Sequence, residues 1–203
     1  MARSPVSPQL VALAAAALIS GAPASARAQH PAGMGTHAHV TIPHGASYTV
    51  ADVEFMQGMI AHHAQAIHMS RMAETRRADP RLVRLAEKIG QSQIAEIRIM
   101  QDWLVRNGQA APDTSSWRTM HMAGMLTPAQ LDSLEAATGA AFDHAYLTMM
   151  IQHHEGALDM VEELFTVPGA GQDVDVNVFA NDVVAVQTAE IGAMRRMLSE
   201  LSD

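Results

Sequence analysis

Cysteine is absent from this chain of 203 residues. Disulfides and thiolate metal sites are thereby excluded, so any ion held by side chains must use nitrogen, oxygen or thioether sulfur. Long apolar runs are missing too. No stretch reaches the roughly 18 uninterrupted apolar residues that a spanning helix needs. The one notable run, Leu10 to Ile19, is short and alanine-rich, with Arg3 before it and Ala26-Arg27-Ala28 after it. This is the pattern of a secretory signal peptide over residues 1–28, cleaved before Gln29. The mature chain is expected to be exported, to the periplasm, with no stable membrane insertion once the signal is removed. About 175 residues then remain, enough for one domain with a sizeable core.

Basic charge is also in short supply, with 13 Lys and Arg against 21 Asp and Glu and a formal net charge of -8. Loss of Arg3 and Arg27 with the signal makes the mature chain more acidic still. A nucleic-acid partner needs clustered Lys and Arg and is excluded on this ground. Several catalytic signatures are missing. There is no Glu-x-x-His, the pair that a ferritin-like di-iron centre requires, and no His-Glu-x-x-His. Nothing matches a nucleophile elbow, a phosphate loop or a dinucleotide turn. No catalytic residue is assigned, and the reading favours a protein that is not an enzyme.

Aromatic residues number only four Phe, two Tyr and two Trp, whereas there are fifteen Met and eleven His. Residues 29–49 are rich in Gly, Pro, Ala and His and read as a flexible tail carrying His30, Met34, His37, His39 and His44. Helical patterning follows over residues 50–77 and 80–106, broken at Asp79-Pro80 and closed by Asn107-Gly108. A loop over 109–126 leads to Thr127-Pro128, an N-cap and first-turn proline for a short helix ending near Gly139. Further helices are expected from about 140 to 165 and from 173 to 201.

The second pair of helices repeats the first. Asp52, Phe55, Met59, Ile60, His62, His63, Ala66 and Met69 match Asp143, Tyr146, Met150, Ile151, His153, His154, Ala157 and Met160, each 91 positions later. In the partner helices Gln93, Glu96, Ile97, Met100 and Leu104 match Gln187, Glu190, Ile191, Met194 and Leu198 at an offset of 94. Two hairpins, over 50–107 and 140–202, therefore suggest an all-α four-helix bundle spanning 50–203, with the short helix as crossover.

At about 100° per residue, Phe55, Met59, His62, His63 and Ala66 share one core-facing stripe. The second copy behaves alike. Glu96 and Glu190 fall on the apolar stripes of their own helices, where an unpartnered carboxylate is costly. They are expected to face imidazoles, water or a metal across the bundle.

Thioether and imidazole donors from Met59, His62, His63, Met69, Met150, His153, His154 and Met160, with Glu96 and Glu190 as ligands or orienting partners, form a set that favours copper. Thioether selects Cu(I), and imidazole leaves other divalent ions possible. A second group, Met120, His121, Met122 and Met125, lies in the crossover loop. The competing reading is structural: Met fills gaps, His and Glu form a satisfied polar layer, and the loop methionines plug the bundle end. Function then divides three ways. The first is a copper-binding protein for buffering, tolerance or delivery, with a delivery partner or a homo-oligomer possible. The second is a redox-active metal enzyme that oxidises cuprous ion or a small substrate. The third is a metal-free interaction module.

The strings Phe142-Asp143, Met149-Met150-Ile151-Gln152-His153-His154-Glu155-Gly156-Ala157 and Met160, with Gly124-Met125-Leu126-Thr127 and the two Gln-x-x-Glu-Ile segments, resemble the domain-of-unknown-function family DUF305. The resemblance runs from about Asp52 to Leu198. It implies a ferritin-like four-helix fold, export to the periplasm or cell surface and, for some members, copper binding and tolerance. The first copy departs from the second in having Ala64 where the second has Glu155.

Overall fold

The computed structural model describes residues 40–201. The expected signal peptide and most of the expected tail lie outside the described residues. Among the described residues the fold is all-α: α1 Val50–Met72, α2 Pro80–Arg106, α3 Pro128–Ala136, α4 Ala140–Thr166 and α5 Val174–Glu200, with a 3-10 turn at Ser116–Arg118 in the crossover.

The helix starts follow from capping chemistry. Thr49 and Asp52 form a reciprocal capping box at α1, and Thr127 and Gln130 form another at α3, where Pro128 takes the first turn. Asp79 and Asp173 cap α2 and α5 through their side chains. Helix α1 stops at Met72, five residues before the expected end at 77. The Glu74-Thr75-Arg76-Arg77 segment is too polar to stay on a buried helix. It turns out into water, with Arg77 in the left-handed region at φ 55°, and Thr75 Oγ1 donates to the Met72 carbonyl at 3.1 Å.

Each half folds as a hairpin, α1 on α2 and α4 on α5, and the halves meet through α1 and α4. These two helices run antiparallel. Near one end a Cβ on Gly58 would lie 3.5 Å from Met160 Cε; midway the ring centroids of His62 and His153 lie 3.8 Å apart, the planes tilted by 40°; at the other end the Ser70 and Tyr146 hydroxyls bond at 3.0 Å. Two aspartates at matching motif positions lock the halves reciprocally. The Gly171 N–H in the second hairpin's turn donates to Asp52 at 2.7 Å, and the Asp79 N–H in the first hairpin's turn donates to Asp143 at 3.1 and 3.2 Å. Burial pushes the Asp143 carboxyl above its ordinary value of 3.8.

The apolar core is split in two. One cluster contains Met59, Met100, Trp103, Met160 and Phe179, and the other Met69, Leu82, Phe142, Met150 and Met194. Along each long helix the polar motif residues fall between the two. The bundle therefore has a polar waist with an apolar core on either side.

Two expectations need correction. The sequence stripe implies one buried face on α1, but α1 is buried on nearly all sides, with Gln57, Ala61, Ala64 and Gln65 sequestered as well. The cause is the crossover, which covers α1 through contacts of Ala110 with Gln57, Met122 with Gly58, Ala123 with His62, Leu126 with Gln65 and Trp117 with His68. The tail also does not extend to residue 49 as a free segment: Val40, Ile42 and Ala46 pack on the core, and the Tyr48 ring meets Trp103 edge-on at 5.2 Å. Their apolar surface is better placed against the bundle than in water.

Candidate metal centre

The polar waist is assembled from one turn of each long helix. Adjacent histidines on a helix diverge by about 100°, so each His-His pair addresses two neighbours at once. The second histidine of each pair turns to its own hairpin. His63 Nε2 donates to Glu96 Oε2 at 2.6 Å, and His154 Nε2 donates to Glu190 Oε2 at 2.8 Å. The first histidine of each pair turns to the other hairpin, which brings His62 and His153 together. All four rings are fully buried.

Their protonation follows from their partners. A carbonyl can only accept, so His62 Nε2, 3.1 Å from the Ala123 carbonyl, carries the proton and Nδ1 keeps its lone pair. His63 and His154 likewise turn Nε2 to an acceptor and leave Nδ1 without a partner. These three Nδ1 atoms and both ring nitrogens of His153 make no hydrogen bond among the described residues. The same is true of both amide atoms of Gln93 and Gln187. Burial pushes His62 and His153 well below the ordinary imidazole value of 6.5, and the neighbouring histidines push in the same direction. Both rings are neutral, and neutral imidazole is the form that binds metals.

The motif methionines flank this layer. Met59 and Met160 belong to the core cluster on one side, and Met69 and Met150 to the cluster on the other, so each side receives one thioether from each hairpin. Among the described residues, no three His, Asp or Glu side chains group closely enough to hold a metal by themselves.

The crossover donors differ in their placement. The loop crosses the waist. Leu126 N–H donates to Gln65 Oε1 at 2.7 Å, and Gln65 Nε2 donates back to the Leu126 carbonyl at 3.1 Å. Met122 turns inward over Gly58, where a Cβ would meet its Sδ at 3.3 Å and Met160 Cε at 3.5 Å. Met125 is buried, and its Sδ accepts from the Met122 N–H at 3.4 Å. Met120 is half-buried, whereas His121 is exposed and lines a separate groove of about 340 Å³.

Some participants were not assigned to the site from the sequence. Gln93 and Gln187 sit in the waist, and their signal was present in the repeated Gln-x-x-Glu. Gly156 is the other case: a Cβ there would collide with the Ala123 carbonyl and the Gly124 backbone, so only glycine lets the crossover lie on α4. A glycine inside a helix was the only hint of this.

Comparison with known proteins gives a consistent picture. Solved structures similar to this one include a DUF305 protein from Streptomyces coelicolor presumed to be secreted, at 29% identity over 77% of this chain and 96% of that one, with a TM-score of 0.65. A DUF305 fragment from Deinococcus radiodurans is 29% identical over 75% and 98%, with a TM-score of 0.67. CopM in its Cu(I)-bound form is 27% identical over 73% and 96%, with a TM-score of 0.58, and CopM has also been solved with Cu(II) and with silver. No curated protein matches the sequence. The family of domain of unknown function DUF305 matches residues 52–198, and the chain belongs to that family.

Proposed function

We propose that this is an exported copper-binding protein that holds the ion, Cu(I) in preference, at the waist of the bundle for buffering, tolerance or delivery. The observation that carries the reading is the pair of carboxylate-tethered imidazoles. Glu96 and Glu190 take Nε2 of His63 and His154, leaving each Nδ1 buried without a protein partner. A carboxylate on one imidazole nitrogen orients the ring and raises the basicity of the other, the usual arrangement behind a metal-bound histidine. His62 and His153 supply further neutral nitrogens. Met59 with Met160, and Met69 with Met150, supply soft sulfur on the two sides. Thioether from these methionines would complete a donor set with the imidazoles, and thioether favours Cu(I). The likeness to CopM, crystallised with Cu(I), Cu(II) and silver, supports the same reading.

A metal-free polar layer is the second reading. It is favoured by the fact that three of the four imidazoles already have a protein partner. An anaerobic cuprous-ion titration of the mature chain separates the two. Beside it run H62A/H63A, H153A/H154A and M59L/M160L. The metal-binding reading expects lower stoichiometry in both histidine variants and weaker affinity in the methionine variant. Equal stoichiometry and affinity throughout, with only stability reduced, would leave the polar-layer reading standing.

A further inference from the structure

Away from the waist, a groove of about 580 Å³ opens between α1, α2 and the 3-10 turn of the crossover. Three guanidiniums line it from three different elements: Arg71 on α1, Arg98 on α2 and Arg118 on the crossover. None makes an ion pair among the described residues, and no described carboxylate lines the groove. Arg77, Arg84 and Arg196 lack an ion pair as well; the distinction of these three is convergence on one cavity. That convergence runs against the chain's net charge of -8.

The walls are held in place. The Trp117 ring stacks on His68 at 4.9 Å and 26°, and the Arg118 guanidinium lies 5.0 Å over the same indole. Gln101 Nε2 donates to the Pro112 carbonyl at 2.9 Å, pinning the crossover to α2 beside the groove. Ile94 and Ile97 give it an apolar floor.

The second hairpin provides an internal control. At the positions of Ala64, His68 and Arg71 it carries Glu155, Asp159 and Glu162, and at those of Arg98 and Gln101 it carries Gly192 and Arg195. Its face is acidic, and its one arginine there is neutralised by Glu155 at 2.5 Å. The same scaffold without the crossover has no cationic groove, so the positive charge is not a by-product of the bundle.

We propose that this groove binds a small organic anion carrying two or three carboxylates. Planar guanidiniums from separate elements can each take a carboxylate in a two-point fork, which fixes both the spacing and the orientation of the acids. The carbon skeleton of such a ligand lies over the isoleucine floor and against Trp117. The site is independent of any metal at the waist.

The test is calorimetric titration of the metal-free mature chain with tricarballylate, a tricarboxylate without a hydroxyl, followed in parallel by Trp117 fluorescence. Saturable binding is expected, weakened about tenfold or more by each of R71Q, R98Q and R118Q and lost in the triple variant. The R84Q/R196Q control should bind as the parent does. The double variant H68D/R71E installs the residues that the second hairpin carries, so it should fold and fail to bind. The proposal is overturned by the absence of saturable binding, by undiminished binding in the triple variant, or by inorganic phosphate displacing the ligand at equal concentration.

Discussion

The two hairpins carry the same motif but live in different surroundings. α1 is buried on almost every side, whereas α4 keeps Gln152, Glu155, Asp159, Glu162 and Glu163 in water. The difference comes from the crossover, which contacts both inner helices but spreads along α1. One motif position shows how duplicated helices diverge to accommodate it. Gln65 in α1 grips the loop with its side chain, and Gly156, the matching residue in α4, receives the loop by having no side chain at all. The His-Glu contacts are shared by both halves; what surrounds them is not. Glu190 is only 7% exposed, against 18% for Glu96.

The sharpest way to break the comparison is at Gly156. Gly156→Val must lift the crossover from α4 and is expected to cost about 3 kcal/mol or more, because the obstruction is backbone and cannot swing away. Gln65→Ala, at the same motif position, should cost about 1–3 kcal/mol by leaving the Leu126 backbone groups unpaired. Urea denaturation of both variants gives the order directly. Should the two cost the same, the crossover would not be gripped differently by the two halves.

Next in size come the carboxylates. Glu190→Ala strands the buried His154 Nε2 and is expected to cost about 2–3 kcal/mol, and Glu96→Ala about 1 kcal/mol less, since water reaches Glu96 more readily. Equal losses in thermal unfolding would erase the asymmetry.

The acid dependence compares the waist with the unfolded chain. His62 and His153 are held well below 6.5 by burial, so the folded state binds fewer protons than the unfolded one. Their contribution is complete above about pH 6.5 and is lost as pH falls from there toward their folded values, by up to about 1.4 kcal/mol per pH unit for each ring. Denaturation midpoints of the parent and of His153→Ala, measured between pH 7 and pH 4, should diverge in slope. The smallest effect is at the surface. Arg195→Gln breaks an exposed ion pair and should change stability by less than about 1 kcal/mol.

Much of this was legible in the sequence. The start of α3 was marked by Thr127-Pro128, a cap and a first-turn proline that can be read locally, and the break at Asp79-Pro80 stands where α2 begins. That Glu96 and Glu190 need partners across the bundle followed from a carboxylate placed on an apolar stripe, with imidazole, water and a metal all open; the structure supplies imidazoles. The course of the crossover was not legible, because Met122, Ala123 and Leu126 are placed by contacts with Gly58, His62 and Gln65, about sixty residues away. The early end of α1 was hidden for a related reason: Glu74 to Arg77 continue a good helical pattern, and only the burial of the preceding turns makes that continuation unfavourable. Tyr48 looked like part of a polar tail until Trp103 supplied its surface. The cationic groove needed three elements to be brought together, and the sequence alone shows only scattered arginines.

The central claim is that the imidazole layer at the waist is where the ion binds. Nitrogen-15 NMR of histidine-labelled mature protein, titrated with silver as a diamagnetic stand-in for Cu(I), tests it most directly. The account predicts that the Nδ1 resonances of His63 and His154 shift on ion binding while their Nε2 protons stay bonded to Glu96 and Glu190. If the ion binds stoichiometrically while all four buried rings keep their spectra and only exposed histidines such as His121 respond, the waist is a structural layer and the claim is wrong.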